Sequence, residues 1–120
     1  MSLSVESIEK AATRIAPHTR RTPIFRSELF EKRVGSKFPI YFKAENLQYT
    51  GSFKVRGALN KFQTLLENNP AHIKKVGVIA ASAGNHAQGV AFHAQRLGIH
   101  AKIVMPVTSP LVKINSTKQW

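Results

Sequence analysis

Lys54 is the residue of this chain best placed for covalent chemistry. It lies in Thr50-Gly51-Ser52-Phe53-Lys54-Val55-Arg56-Gly57-Ala58, with an apolar stretch, Ile40 to Ala44, upstream. Ser52 is a candidate N-cap, which puts Lys54 in the first turn of a helix. A helix N-terminus carries partial positive charge and disfavours an ammonium there. Arg56 adds a like charge nearby, and burial would act in the same direction. All three favour the neutral amine, the form that attacks an aldehyde to make a Schiff base. A lone lysine at such a position is more often a solvated helix residue, so the assignment needs a second signal.

That signal is Val76-Gly77-Val78-Ile79-Ala80-Ala81, a continuous apolar run of the kind a buried parallel strand requires, followed at once by Ser82-Ala83-Gly84-Asn85-His86-Ala87-Gln88-Gly89. A tight turn between strand and helix offers backbone N–H groups to an anion. Taken alone, it is also compatible with an ordinary strand-to-helix connection in which Gly84 supplies backbone freedom. After it, Ala87, Val90, Ala91, Ala94 and Leu97 recur at helical spacing, and Gly98 fits a C-terminal stop.

The elements that must position these residues are of α/β type. Val5, Ile8, Ala12 and Ile15 mark an amphipathic helix capped by Ser4. Thr22-Pro23-Ile24-Phe25 must be extended before its proline. Glu28 to Val34 predicts a short helix that Gly35 stops, and the alternation of Ile40, Phe42 and Ala44 with polar neighbours predicts a strand with one buried face. Val55, Ala58, Leu59, Phe62 and Leu66 form the expected core stripe of the Lys54 helix, and Asn68-Asn69-Pro70 reads as a loop. Ala101 to Met105 is a second parallel strand, completing a strand–helix–strand unit. Ser109 as cap and Pro110 at the first position open a last helix. No capping signal follows Lys118-Gln119-Trp120, so that helix reads as cut rather than ended. About four strands and five helices result.

Together these segments resemble the serine/threonine dehydratase family of pyridoxal-phosphate (PLP) enzymes, of the tryptophan-synthase-β-like fold type II. The similarity runs from Arg21-Thr22-Pro23 through Tyr41 to Gln48, Thr50 to Ala58 and Ala81 to Ala91, into Ile103-Val104-Met105-Pro106 and Ser109 to Lys113. Within the family it is best to the threonine dehydratases (threonine ammonia-lyases). The resemblance implies that Lys54 carries the cofactor and moves the substrate α-proton, and that Phe53 lies along the cofactor ring. It implies that Asn85 hydrogen-bonds the cofactor 3′ oxygen, and that Ser82, Ala83, Gly84, Asn85 and His86 form the loop for the substrate carboxylate. Serine racemases of this type carry a serine immediately before the loop glycine as base on the opposite face. Ala83 stands there, so elimination is expected over racemisation. The implied reaction turns L-threonine or L-serine into a 2-oxo acid and ammonia, in amino-acid metabolism such as isoleucine biosynthesis, in a homo-oligomer. The family's Gly-rich phosphate loop and its pyridine-nitrogen partner come later than residue 120. Residues 1–120 are therefore expected to be the N-terminal part of a catalytic domain, truncated before the phosphate loop. A non-catalytic remnant and a serine-racemase-like member stay open as alternatives.

Composition narrows the rest. Eighteen Lys and Arg against six acidic residues give a net charge of +12. The basic residues are dispersed, with Arg20-Arg21 and Lys74-Lys75 the tightest pairs, and no aromatic-interleaved patch accompanies them, so no nucleic-acid partner is expected. There is no cysteine. His72, His86, His93 and His100 lack metal-ligand spacing, so no metal is expected. The glycine turn fits neither a dinucleotide nor a P-loop fingerprint, and Ser82 has no His/Asp relay. No apolar run approaches membrane-spanning length and Met1-Ser2-Leu3 does not read as a signal peptide, so no membrane partner and a cytoplasmic location are expected.

Overall fold

The computed structural model describes residues 3–120; Met1 and Ser2 of the segment tested for a signal peptide lie outside the described residues. The order is α1 (Val5–Ile15), β1 (Ile24–Arg26), α2 (Glu28–Val34), β2 (Tyr41–Lys43), α3 (Lys54–Asn68), α4 (Pro70–Val76), β3 (Val78–Ala81), α5 (Asn85–Leu97), β4 (Ala101–Val104) and α6 (Leu111–Lys118). Ser4 caps α1 through a reciprocal bond with Ser7. Gly35 and Gly98 end α2 and α5 in the left-handed conformation (φ 66° and 63°) that a glycine adopts at little cost.

Two small sheets form. β1 and β2 pair antiparallel with Phe25 opposite Phe42, while β3 and β4 pair parallel with Val78 opposite Ala101 and Ala81 opposite Val104. The second is the expected strand–helix–strand unit, with α5 as the crossover. The core lies between its inner face and helices α3 and α5: Ala58, Phe62, Ile73, Val90, Ala94 and Ile99 are buried together, with Val78, Ala80 and Ile103 against them. The expected stripes hold. Val55, Ala58, Leu59 and Phe62 are buried on α3, and Ala87, Val90, Ala91 and Ala94 on α5, with Leu66 and Leu97 partly so.

Three expectations need correction. The apolar run from Val76 is not all strand: Asn69 accepts from the His72 N–H and Pro70 takes the first helical position, so Pro70–Val76 winds as α4. The predicted loop shrinks to Asn69 alone. Gly77, at φ 77°, then turns the chain into β3, where a Cβ would overlap the His100 carbonyl. Second, β2 buries no side chain of its own; only flanking Ala44 is buried, because the β1–β2 ribbon is covered by little more than the Phe30 edge packed on Phe42. Third, Ser109 does not cap α6. Its hydroxyl is buried with no partner, and the Pro110 carbonyl opens the helix by accepting from Lys113 and Ile114.

The closest contact between α3 and α5 is backbone on glycine. A Cβ at Gly89 would stand 3.2 Å from the Lys54 carbonyl carbon and from the Val55 nitrogen. Neither atom can move without shifting a helix. Gly89→Val should therefore lower stability by about 2 kcal/mol in a urea titration, despite removing a helical glycine; a variant as stable as the parent would show that the two helices do not rest on each other here.

Candidate active site

The turn before Lys54 is built by side chains that bind backbone. Gln48 is buried; its Oε1 accepts from the Arg20 and Tyr49 N–H groups at 3.1 and 3.0 Å, and its Nε2 donates to the Arg20 carbonyl at 2.8 Å. Thr50 then takes φ 58° and Gly51 φ 67°. A β-branched residue in this region is strained, and the Thr50 hydroxyl is buried without a partner. Ser52 is buried and its Oγ accepts from the Lys54 N–H at 3.3 Å. It thus satisfies a free donor as expected of a cap, although Phe53, already helical at φ −65°, holds the position before the helix.

Arg56 is committed to Glu45 and to the Arg20 carbonyl. Its guanidinium grips Glu45 with two bonds (Nε to Oε2 2.9 Å, Nη2 to Oε1 2.8 Å) and the Arg20 carbonyl with a third at 3.0 Å. Thr22 donates to the same carboxylate at 2.6 Å, and Lys43 Nζ donates to the Thr22 carbonyl at 2.6 Å. The Arg56 bond, and secondly Thr22, hold the Glu45 carboxyl below its usual range against the pull of desolvation. Arg56, read from the sequence as a like charge near Lys54, is paired with Glu45 and acts as a strut between the β2 end and α3. Lys54 itself is exposed rather than buried. Its Nζ lies 4.9 Å from the Phe53 ring centroid and has no hydrogen bond or ion pair among the described residues.

The second half of the site is the turn from β3 into α5. Ser82 extends the parallel pairing by donating its N–H to the Val104 carbonyl at 3.0 Å. Its Oγ accepts from the Gly84 and Ala87 N–H groups at 3.3 and 3.2 Å. The backbone N–H groups of Ala83, Asn85 and His86 donate to nothing among the described residues. They lie at the positive end of a long helix, which suits a carboxylate. Asn85 and His86 are exposed, and Lys113 Nζ donates to Asn85 Oδ1 at 3.2 Å. Asn85 sits one helical turn before Gly89, and Gly89 rests on the Lys54 backbone, so one helix contact joins the two motifs.

Sequence reasoning misses His93, which its residue type offers only as a metal ligand; among the described residues no His, Cys, Asp and Glu group could hold a metal. It is instead among the most buried side chains, with Leu59 and Val55, and its Nε2 has no partner. Burial, helped by the Arg96 charge and opposed by the Val55 backbone, pushes its pKa down to about 4. Its place on the helix stripe, three residues after Val90, is the signal that could have found it.

Residues 15–120 match the family described as pyridoxal-phosphate dependent enzyme. The chain belongs to that family. Over 118 residues it is 49% identical to the L-threonine dehydratase catabolic TdcB of Staphylococcus aureus (strain N315), covering 98% of this chain and 33% of the relative. Among solved structures, a pyridoxal 5′-phosphate-dependent aspartate racemase superposes with TM-score 0.90 at 44% identity, and a T.th. threonine deaminase with TM-score 0.77 at 45%. The alignments take in 99% and 97% of this chain and 36% and 34% of those chains. The chain thus spans about a third of the length of these relatives. Their folds make the expected fold type II architecture that of this PLP-family chain as well. No helix among the described residues is long and apolar enough to cross a membrane.

The site's helix pair has a pH signature. Folded His93 is neutral down to about 4, whereas an unfolded histidine takes up a proton near 6.5. The unfolded state therefore binds more protons between these values, and stability falls as pH drops through 6.5. From pH 7.5 to pH 5 the loss should be about 2 kcal/mol. Urea titrations at the two pH values should show it, and His93→Leu should flatten the difference; an equal slope in both proteins would mean that His93 is protonated in the fold.

Proposed function

We propose that residues 1–120 form the N-terminal third of a PLP-dependent ammonia-lyase domain that eliminates water from L-threonine and L-serine. The observation that carries this reading is the backbone contact at Gly89 between the helix that bears the unpaired Lys54 amine and the helix that follows a loop of free N–H donors. The identity to a threonine dehydratase supports the substrate class.

The residues present fit the cofactor. Lys54 Nζ is uncommitted, the Phe53 ring stands beside it, and Asn85 keeps its amide NH2 for an acceptor while Lys113 occupies its oxygen. No Gly-rich run that could hold the phosphate lies between Gly98 and Trp120. Bound PLP supplies an electron sink for the substrate α-carbon. The protein's part is to orient and to move protons. The N–H groups of Ala83, Asn85 and His86 hold the substrate carboxylate. The Lys54 amine would take the α-proton, and the ammonium so formed would give a proton to the β-hydroxyl, which departs as water. The remaining product hydrolyses to 2-oxo acid and ammonia.

Racemisation is the second reading, favoured by the superposition on the aspartate racemase. Superposition speaks to backbone, whereas reaction choice lies in a side chain. Reversing the α-carbon needs a second acid on the opposite face. Ala83, immediately before the loop glycine, has no proton to give. We therefore place the chain with the lyases. The Staphylococcus aureus relative's description as catabolic favours threonine breakdown over isoleucine biosynthesis. A homo-oligomer and a cytoplasmic site of action complete the proposal.

Two experiments test it in the complete domain, with the other two thirds supplied by the natural continuation of this sequence or by that relative. Lys54→Ala should abolish borohydride-trappable cofactor; retained labelling would name a different lysine. Ala83→Ser should raise serine racemisation relative to deamination by at least about tenfold, a barrier change of about 1.4 kcal/mol. A parent that racemises serine as fast as it deaminates it would overturn the one-base reading.

A further inference from the structure

We propose that Lys113 is a positioning residue that fixes which end of the Asn85 amide faces the cofactor, and that it brings a positive charge to that end of the site. The proposal rests on the reading of Asn85 as the partner of the cofactor's 3′ oxygen, and goes beyond it by naming what makes Asn85 a donor.

An ammonium can only donate. The atom of Asn85 that faces Lys113 Nζ at 3.2 Å is therefore the carbonyl oxygen, and the NH2 group must point elsewhere. Without such a partner the amide of an exposed asparagine offers either end, and half of its orientations would present an acceptor to an acceptor. With Lys113 in place, only a ligand acceptor can complete Asn85. A cation on Oδ1 also polarises the amide and strengthens its N–H donors.

Lys113 is held for this. Its N–H donates to the Pro110 carbonyl at 2.9 Å, and its own carbonyl accepts from Thr117 Oγ1 at 2.9 Å, with Thr117 buried. Trp120, just past the end of α6, packs edge-on against Phe92 of α5 at 5.0 Å. The helix that carries Lys113 is thus seated on the helix that Asn85 begins.

Its charge is not paired among the described residues. The acidic side chains of this chain all lie at or before Glu67, whereas Asn68 to Trp120 holds Lys74, Lys75, Arg96, Lys102, Lys113 and Lys118. Among the described residues Lys113 has no ion pair, and Asn85 is its side-chain partner. The pair is open to solvent in this chain, so it contributes little to stability. What it decides is orientation, and the charge suits a ligand oxygen that is anionic.

The test compares Lys113→Met, Lys113→Arg and Asn85→Ala in the complete domain, reading the visible absorbance of bound PLP and its dissociation constant by titration. Lys113→Met should displace the absorbance band in the same direction as Asn85→Ala and weaken cofactor binding several-fold. In an Asn85→Ala background Lys113→Met should add little, and Lys113→Arg should keep the parent spectrum. If Lys113→Met fails to fold, Lys113→Gln should give the same displacement, reduced in size. A Lys113→Met or Lys113→Gln spectrum and affinity identical to the parent, while Asn85→Ala changes both, would overturn the proposal and leave the role of Asn85 standing. An Asn85→Ala protein indistinguishable from the parent would instead remove Asn85 from the cofactor site, and this inference with it.

Discussion

The backbone of Lys54 rests on Gly89, and most of the site's geometry follows from that contact. A glycine at mid-helix is unfavourable by roughly 1 kcal/mol relative to alanine. Here the missing Cβ lets α5 approach α3 so closely that a side chain would press on the Lys54 backbone at 3.2 Å. The approach sets the second turn of α5, at Gly89, against the first turn of α3. The start of each helix carries one candidate half of the site: the Lys54 amine on α3, the free N–H groups on α5. Neither half is distinctive alone. A lysine at a helix start and a glycine turn after a strand are common, and it is their enforced adjacency that makes a site.

Two polar clamps keep the adjacency from being loose. The Glu45 carboxylate accepts from Arg56 and Thr22, and Arg56 reaches on to the Arg20 carbonyl. Gln48 holds the same Arg20 segment through both its backbone groups. Together they fix the chain just before Lys54 in a conformation it would not choose, with a threonine and a glycine in succession at positive φ. Strain at Thr50 persists because the neighbours on both sides are fastened. The cation that the sequence offers as a perturber of Lys54 serves instead as a fastener. For a surface pair such a bond would count for little, but this carboxylate is mostly shielded and satisfied on both oxygens.

Local rules made much of this legible. Glycine stops, the Ser4 cap, the apolar stripes of α3 and α5 and the parallel unit all follow from spacing and propensity, because those elements bury what their patterns say they bury. The failures have a common cause. The pattern of Ile40, Phe42 and Ala44 predicts a buried face, but burial depends on which layer covers the strand, and sequence periodicity does not report that. The Val76 strand start gave way to Asn69 and Pro70, whose cap chemistry outranks an apolar run. The partners of Arg56 and Lys113 were invisible, since both contacts join residues far apart in sequence whose side chains carry no periodic signal. His93 was hidden by its own residue type: a histidine on a core stripe reads as a ligand first and as packing second.

The remaining constraint concerns water. Electrostatic and proton-transfer chemistry gains strength where solvent is excluded. In this chain Phe53 is 56% exposed, Asn85 and His86 are open, and Ile79 on the neighbouring strand is 71% exposed. Ile79 and His86 also line an apolar trough with Phe62. The opposite side, between the helices, is already dry enough to keep His93 neutral. The fold therefore divides its work. The interior of the helix pair supplies rigidity and sets the spacing of the two motifs. Lys54, Phe53 and the first residues of α5 stand in solvent, where electrostatic effects on the candidate site are weakest.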